Sequence, residues 1–115
     1  MTTHELQILA LHHVVALAPL VTALARAREI TWIDVRTAEE FDESHLPGAV
    51  NMPHEHIGTQ IACLGVGKDS VIYLYCETGR RAGLAKETLH ALGFILAANL
   101  GGLEEARANA DQTNV

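Results

Sequence analysis

Apolar residues recur along this chain with two different periods, and the changes from one to the other outline its elements. At the start, Leu6, Leu9, His13 and Leu17, then Leu20 and Leu24, keep a helical period. Thr2-x-x-Glu5 has the spacing of a capping box, in which two side chains satisfy the unpaired amides of a helix start. Pro19 cannot continue a helix interior, but its fixed φ suits a first turn. The pattern predicts one helix near 3–17 and a second near 19–28. Thr31-Trp32-Ile33-Asp34-Val35 is a short β-prone run, and Val71-Ile72-Tyr73-Leu74-Tyr75 is a stronger one, apolar on both faces. Two-sided runs of this kind mark strands buried in a mostly parallel sheet with helices on each side. Pro47-Gly48 reads as a turn before a brief strand at 49–52, and 54–63 reads as a helix ended by Gly65 and Gly67. Ala82, Ala85, Leu89 and Leu92 recur on one face of a helix over 80–92 that Gly93 stops. A strand at 95–99 and a short last helix at 102–109 follow. Alternating strands and helices predict an α/β three-layer domain.

Composition supports that reading. The chain has 115 residues, 49% of them hydrophobic and 19% charged, which suits one domain with a real core. The net charge of −6 argues against nucleic acid as a partner, because phosphate binding needs a surplus of Lys and Arg. The apolar stretch 6–25 raises the question of a membrane contact or an export signal. No Lys or Arg precedes it, Glu5 does, and His12, His13 and Pro19 interrupt it. The expectation is a cytoplasmic protein whose residues 1–18 form an apolar extension, packed on the core or offered to a partner, with 19–115 as the domain.

Two cysteines, Cys63 and Cys76, are too few for a disulfide scaffold and read as free thiols, one of them reactive. Cys76 directly follows the best strand, and a helix starts a few residues later; ligands bind at such strand ends in open α/β sheets. The loop Cys76-Glu77-Thr78-Gly79-Arg80-Arg81 is expected to turn its amides toward the sulfur, as at other helix N-termini, and so to favour the nucleophilic thiolate. Gly79 permits a close turn, and Arg80 and Arg81 add positive charge. Glu77 opposes them unless it points outward.

Six short segments then occur in order: Ile33-Asp34-Val35-Arg36; Glu40-Phe41; His45-Leu46-Pro47-Gly48-Ala49-Val50-Asn51-Met52-Pro53; Cys76-x-x-Gly79-x-Arg81; Leu92-Gly93-Phe94; and Gly101-Gly102-Leu103. Together, from about residue 30 to 103, they resemble the rhodanese homology domain. The resemblance implies a five-stranded parallel sheet flanked by helices. It also implies a sulfurtransferase in which Cys76 takes sulfur from thiosulfate or another small donor and passes it to a thiol, including a protein thiol, or to cyanide. No cofactor or metal is called for. Four residues separate Cys76 from Arg81, as in the family's sulfurtransferases. The related cell-cycle phosphatases and arsenate reductases have a loop one residue longer; here that next position is Ala82. A sulfur-carrier module is the second expectation. A phosphatase or arsenate reductase, and a fold used only for binding, stand behind it. One departure is that Glu104-Glu105-Ala106 follow Gly101-Gly102-Leu103, where the family often places a Trp.

Four further features carry smaller expectations. Asp34 and Arg36 match an acidic–basic pair of the family and read as loop support or as a structural ion pair. His45 reads as structural, packing or hydrogen-bonding beside Pro47. His54, Glu55 and His56 with Cys63 lack helical zinc spacing and read as a solvated helix end, not a metal site. Cys63 itself reads as a small core residue.

Overall fold

The computed structural model describes residues 29–113. The helices expected near 3–17 and 19–28, and the extension 1–18, lie outside the described residues. Within them, strand β1 (Ile30–Asp34) and strand β3 (Val71–Cys76) coincide with the two β-prone runs, β3 extending by one residue to end on Cys76. Strand β2 (Val50–Asn51) and strand β4 (Ala97–Gly102) complete a sheet of order β2-β1-β3-β4, every pair parallel. Four strands are thus described, against the five implied by the resemblance.

The alternation along β3 explains why it lies near the centre. Ile72, Leu74 and Cys76 point to one face, where they join Ile33, Val35, Met52 and Phe94. That face is covered by helix α2 (Ile57–Gln60), the following 3-10 turn (Ile61–Leu64) and helix α3 (Arg80–Ala91), through Ile57, Ile61, Ala82, Ala85 and Leu89. Tyr75 points to the opposite face, against Leu46 and Ala106, with Trp32 and Leu103 packed alongside. Ala106 belongs to helix α4 (Leu103–Thr113). A fully buried Leu74 or Ile72 contributes about 1.5–3 kcal/mol through removal of its surface from water. No described helix is long and apolar enough to cross a membrane.

Three local expectations are corrected. The predicted helix over 54–63 is a turn, four residues of α2 and a 3-10 turn that ends at Gly65, whose φ of +67° is left-handed. Gly58 and the β-branched Ile57, Thr59 and Ile61 are poor helix formers, and Ile57 and Ile61 hold the segment down by burial instead. The strand predicted at 95–99 begins at Ala97, because Gly93 (φ +98°) and a Phe94 N–H to Leu89 carbonyl bond prolong the turn after α3. Helix α1 (Ala38–Glu43) was not predicted at all. Its six residues are too few to show a period. Its capping box was visible, however: Thr37 Oγ1 accepts from the Glu40 amide at 3.2 Å, and Glu40 Oε1 accepts from the Thr37 amide at 3.1 Å.

β4 carries one irregularity that matters for the site. Leu74 pairs with Asn99 but Cys76 with Gly102, so β4 spends one more residue than β3 over that interval, a bulge. Gly101, at φ +85°, sits in it.

Candidate active site

Cys76 ends β3 and is fully buried. The chain then crosses Glu77 and Thr78 to Gly79, the N-cap of α3. Gly79 has φ +95°, a left-handed conformation that glycine adopts at little cost. This turns its N–H onto Cys76 Sγ at 2.9 Å. The sulfur therefore meets an amide donor at the N-terminal end of a 12-residue helix, where the helix dipole also favours negative charge. The sequence placed Cys76 at a strand end beside this amide loop, and the structure puts it there.

The loop is braced from two sides. On one side stand the ends of β4: a Cβ on Gly102 would collide with the Glu77 carbonyl, and Asn99 Nδ2 donates to the Gly79 carbonyl at 2.8 Å. On the other side stands the Asp34–Arg36 pair, only 0% and 4% exposed. Arg36 donates from its backbone N–H and Nε to Asp34 Oδ1 at 2.9 and 3.1 Å, and from Nη2 to Oδ2 at 2.8 Å. Nη2 also donates to the Ser44 carbonyl, and Nη1 reaches Glu77 Oε2 at 3.4 Å. A buried pair broken on one side would leave an uncompensated charge, so these two residues act as one unit. Donating to the Asp34 carboxylate raises the Arg36 guanidinium above its ordinary range. The pair links the end of β1 to the loop and is not an isolated structural bridge. Glu77, 62% exposed, turns its carboxylate toward Arg36.

The two loop arginines differ. Arg81 is committed to Glu40, with Nη1 to Oε1 at 2.7 Å and Nη2 to Oε2 at 3.0 Å, a bidentate pair that ties α3 to α1. Arg80 is exposed and forms no ion pair with any described residue. The expectation of two guanidinium groups standing available beside the sulfur is corrected to one, because α1, which the sequence reading missed, presents Glu40 to Arg81. The hydrogen bond from Arg81 lowers the Glu40 carboxyl to about 2. A depressed carboxylate contributes stability above its ordinary value of 4.5 and loses it as pH falls toward about 2. Melting temperatures measured between neutral pH and pH 2 should therefore show a gap between wild type and Glu40→Gln that is full above about pH 4.5 and closes on acidification.

Beside the loop lies an open groove of about 450 Å³, lined by Thr78, Gly79, Asn99, Leu100, Gly101, Glu105 and Asn109. Tyr75, behind the loop, accepts at its hydroxyl from the Leu46 amide at 3.1 Å, and burial pushes its phenol well above the usual range. His45 Nδ1 lies 2.7 Å from the Phe41 carbonyl and its ring stacks on Phe41, a packing role as expected. Cys63 is exposed, not a core residue: on the 3-10 turn it is Ile61 that faces inward. His54 Nδ1 stands 3.1 Å from Glu55 Oε1. The residues that sequence reasoning did not place in the site are Glu40 and Asn99. Glu40 was signalled by its capping box with Thr37; Asn99 had no local signal.

The sequence pattern described as the Rhodanese-like domain matches residues 18–109. The chain is 38% identical over 74 residues to the thiosulfate sulfurtransferase PspE of Escherichia coli, covering 64% of this chain and 71% of that protein. It is 34% identical over 62 residues to the putative sulfur carrier protein YrkF of Bacillus subtilis, covering 54% of this chain and 32% of that protein. Among solved structures, an E. coli rhodanese with bound anions superposes with a TM-score of 0.64 at 36% identity, over 67% of this chain and 91% of that one. The human single-domain sulfurtransferase TSTD1 superposes at 0.57 and 25% identity, over 80% and 92%.

Proposed function

Because this chain belongs to the rhodanese-like sulfurtransferase family, we propose that it moves sulfane sulfur from thiosulfate or another persulfide donor to a thiol or cyanide through a persulfide on Cys76. The observation that carries the proposal is the Gly79 amide aimed at Cys76 Sγ from the helix end. In the first step the Cys76 thiolate attacks the outer sulfur of thiosulfate. A Cys76 S–S bond forms, the bond from that sulfur to the sulfonate breaks, and sulfite leaves with the electron pair. In the second step an acceptor thiolate attacks the outer persulfide sulfur, and Cys76 leaves as a thiolate, again on the Gly79 amide. Cyanide as acceptor gives thiocyanate. Both displacements balance without a metal or redox cofactor. The test is the intact mass after incubation with thiosulfate: a gain of one sulfur atom on Cys76 is expected, and an unchanged mass under conditions that load a known rhodanese overturns the proposal.

A second reading, a carrier that receives sulfur from one protein and gives it to another, is supported by the burial of Cys76 and the pairing of Arg81, which limit the attraction of a small dianion. The likeness to a putative sulfur carrier points the same way. Rapid turnover of thiosulfate with cyanide favours the enzyme; loading without turnover favours the carrier. The phosphatase reading remains disfavoured by the four-residue loop.

The two arginines should behave differently in the same assay. Arg80→Ala is expected to raise the KM for thiosulfate by about three- to tenfold, and added salt to raise it in the wild type, because the Arg80 guanidinium, exposed beside the loop and without an ion pair among the described residues, is what draws a dianion toward an acidic protein. Arg81→Ala is expected to lower the melting temperature more than it raises KM, since it releases Glu40 and α1. Steady-state kinetics and melting curves on both variants decide; a larger KM effect at Arg81 would reverse the assignment.

A further inference from the structure

We propose that Asn99 is a positioning residue for sulfur transfer: its side-chain amide, carried on β4, holds the Gly79 carbonyl, which limits rotation about Gly79 and so steadies the preceding Thr78–Gly79 peptide, whose N–H lies on the Cys76 sulfur. The inference rests on the sulfurtransferase reading for its activity test, but its geometry is independent of it. Asn99 Nδ2 donates to the Gly79 carbonyl at 2.8 Å, and Asn99 Oδ1 accepts from the Gly101 amide at 2.8 Å. The same Gly79 carbonyl accepts from the Gly83 amide at 3.0 Å within α3. Gly79 thus has its carbonyl gripped from two sides while its N–H points at Sγ at 2.9 Å.

The grip has a reason to exist. Gly79 lacks the side chain that would restrict its φ and ψ, and it stands at a helix start, where the backbone is least constrained by intrahelical bonds. Helix α3 alone bonds the carbonyl but leaves the peptide free to tilt. Asn99 adds a second, nearly fixed point, because its own oxygen is held by Gly101 in the β4 bulge. The bulge is what makes the reach possible: the extra residue in β4 swings Gly101 and Gly102 behind the loop while Asn99 stays in register with Leu74. Close packing completes the brace, since a Cβ on Gly79 would come within 3.3 Å of the Gly101 Cα. An amide held in place before the reaction stabilises charge developing on sulfur without reorganising at that moment, and each displacement step begins or ends with that charge on Cys76.

The experiment uses the full chain with Cys63→Ser, so that Cys76 is the reporting thiol. Asn99→Leu keeps the approximate shape and removes both bonds. Asn99→Asp keeps the acceptor for the Gly101 amide and removes only the donor to Gly79. Glu87→Gln, exposed on α3 and outside both the loop and the groove, removes one surface charge and serves as the control. Asn99 is exposed, so none of these changes empties the core. Both Asn99 variants should lose about tenfold in kcat for transfer from thiosulfate with KM changed less than about twofold, a split that general loosening of the fold would not produce. Alkylation of Cys76 by uncharged iodoacetamide at neutral pH should slow by a similar factor, and Glu87→Gln should leave both rates near wild type. The proposal is overturned if Asn99→Asp keeps wild-type kcat and alkylation, or if Glu87→Gln is impaired as much as Asn99→Leu. Failure of the parent to take sulfur from thiosulfate would count against the sulfurtransferase reading alone, because the alkylation arm tests the tether without it.

Discussion

Cys76→Ser is expected to abolish sulfur transfer, with turnover falling at least about a thousandfold, or roughly 4 kcal/mol of transition-state stabilisation. Serine can occupy the buried site and accept the Gly79 bond, so the fold should survive. What it lacks is the nucleophile: a hydroxyl is almost wholly protonated at neutral pH and forms no persulfide-like bond that an acceptor thiol can reverse. Cys63→Ser should retain most activity, since Cys63 is exposed on the 3-10 turn while Cys76 lies under the helix end. Paired measurements of thiocyanate formation and of the intact mass after thiosulfate treatment check both variants. Equal impairment of the two would replace the one-cysteine mechanism with a relay.

Inserting one Gly between Gly79 and Arg80 should cost at least about tenfold in thiosulfate activity, about 1.4 kcal/mol. The insertion lengthens the span from Cys76 to Arg81 from four intervening residues to five, the length that the family resemblance leads one to expect of a phosphatase or arsenate reductase. In this structure it also breaks the brace. Gly79 would no longer cap α3, its N–H would leave Cys76 Sγ, and its carbonyl would leave Asn99. A wider ring of amides suits a tetrahedral oxyanion better than a single sulfur. Any gain in aryl-phosphate hydrolysis should stay small, because Arg81 remains tied to Glu40 and the exposed Glu77 adds negative charge to the loop. Sulfite release from thiosulfate and nitrophenol release from its phosphate are measured on the same preparation, with circular dichroism confirming the fold. A folded variant that transfers sulfur as fast as its parent would show that loop length does not select the substrate.

Much of the catalytic loop was legible because its determinants are local. A two-sided apolar run ending at Cys76, a glycine three residues later and an apolar helical face from Ala82 to Leu89 place a thiol at a strand end beneath a helix start. Each of those signals acts within a few residues, through side-chain alternation, the φ freedom of Gly79 or the helical period. The ambiguous parts were short. The six residues of α1 show no period, and the segment from His54 to Leu64 is shaped by burial of Ile57 and Ile61 against the sheet more than by propensity.

What only the tertiary structure decided is which charges and amides meet at the loop. Arg81 finds Glu40, and Arg36 finds Glu77, each across 41 positions of sequence. Asn99 finds Gly79 across 20, by way of a β4 bulge that no local pattern announced. The sequence by itself determined the layered α/β domain, the position of Cys76 at the end of a strand and the length of the loop that follows it. The neutralised Arg81, the exposed Arg80 and the bracing of the Gly79 amide depend on distances set when β1, β3 and β4 come into register. Periodicity and turn chemistry act over one or two turns of chain, whereas a hydrogen bond between distant residues exists only once the sheet has fixed both of its ends.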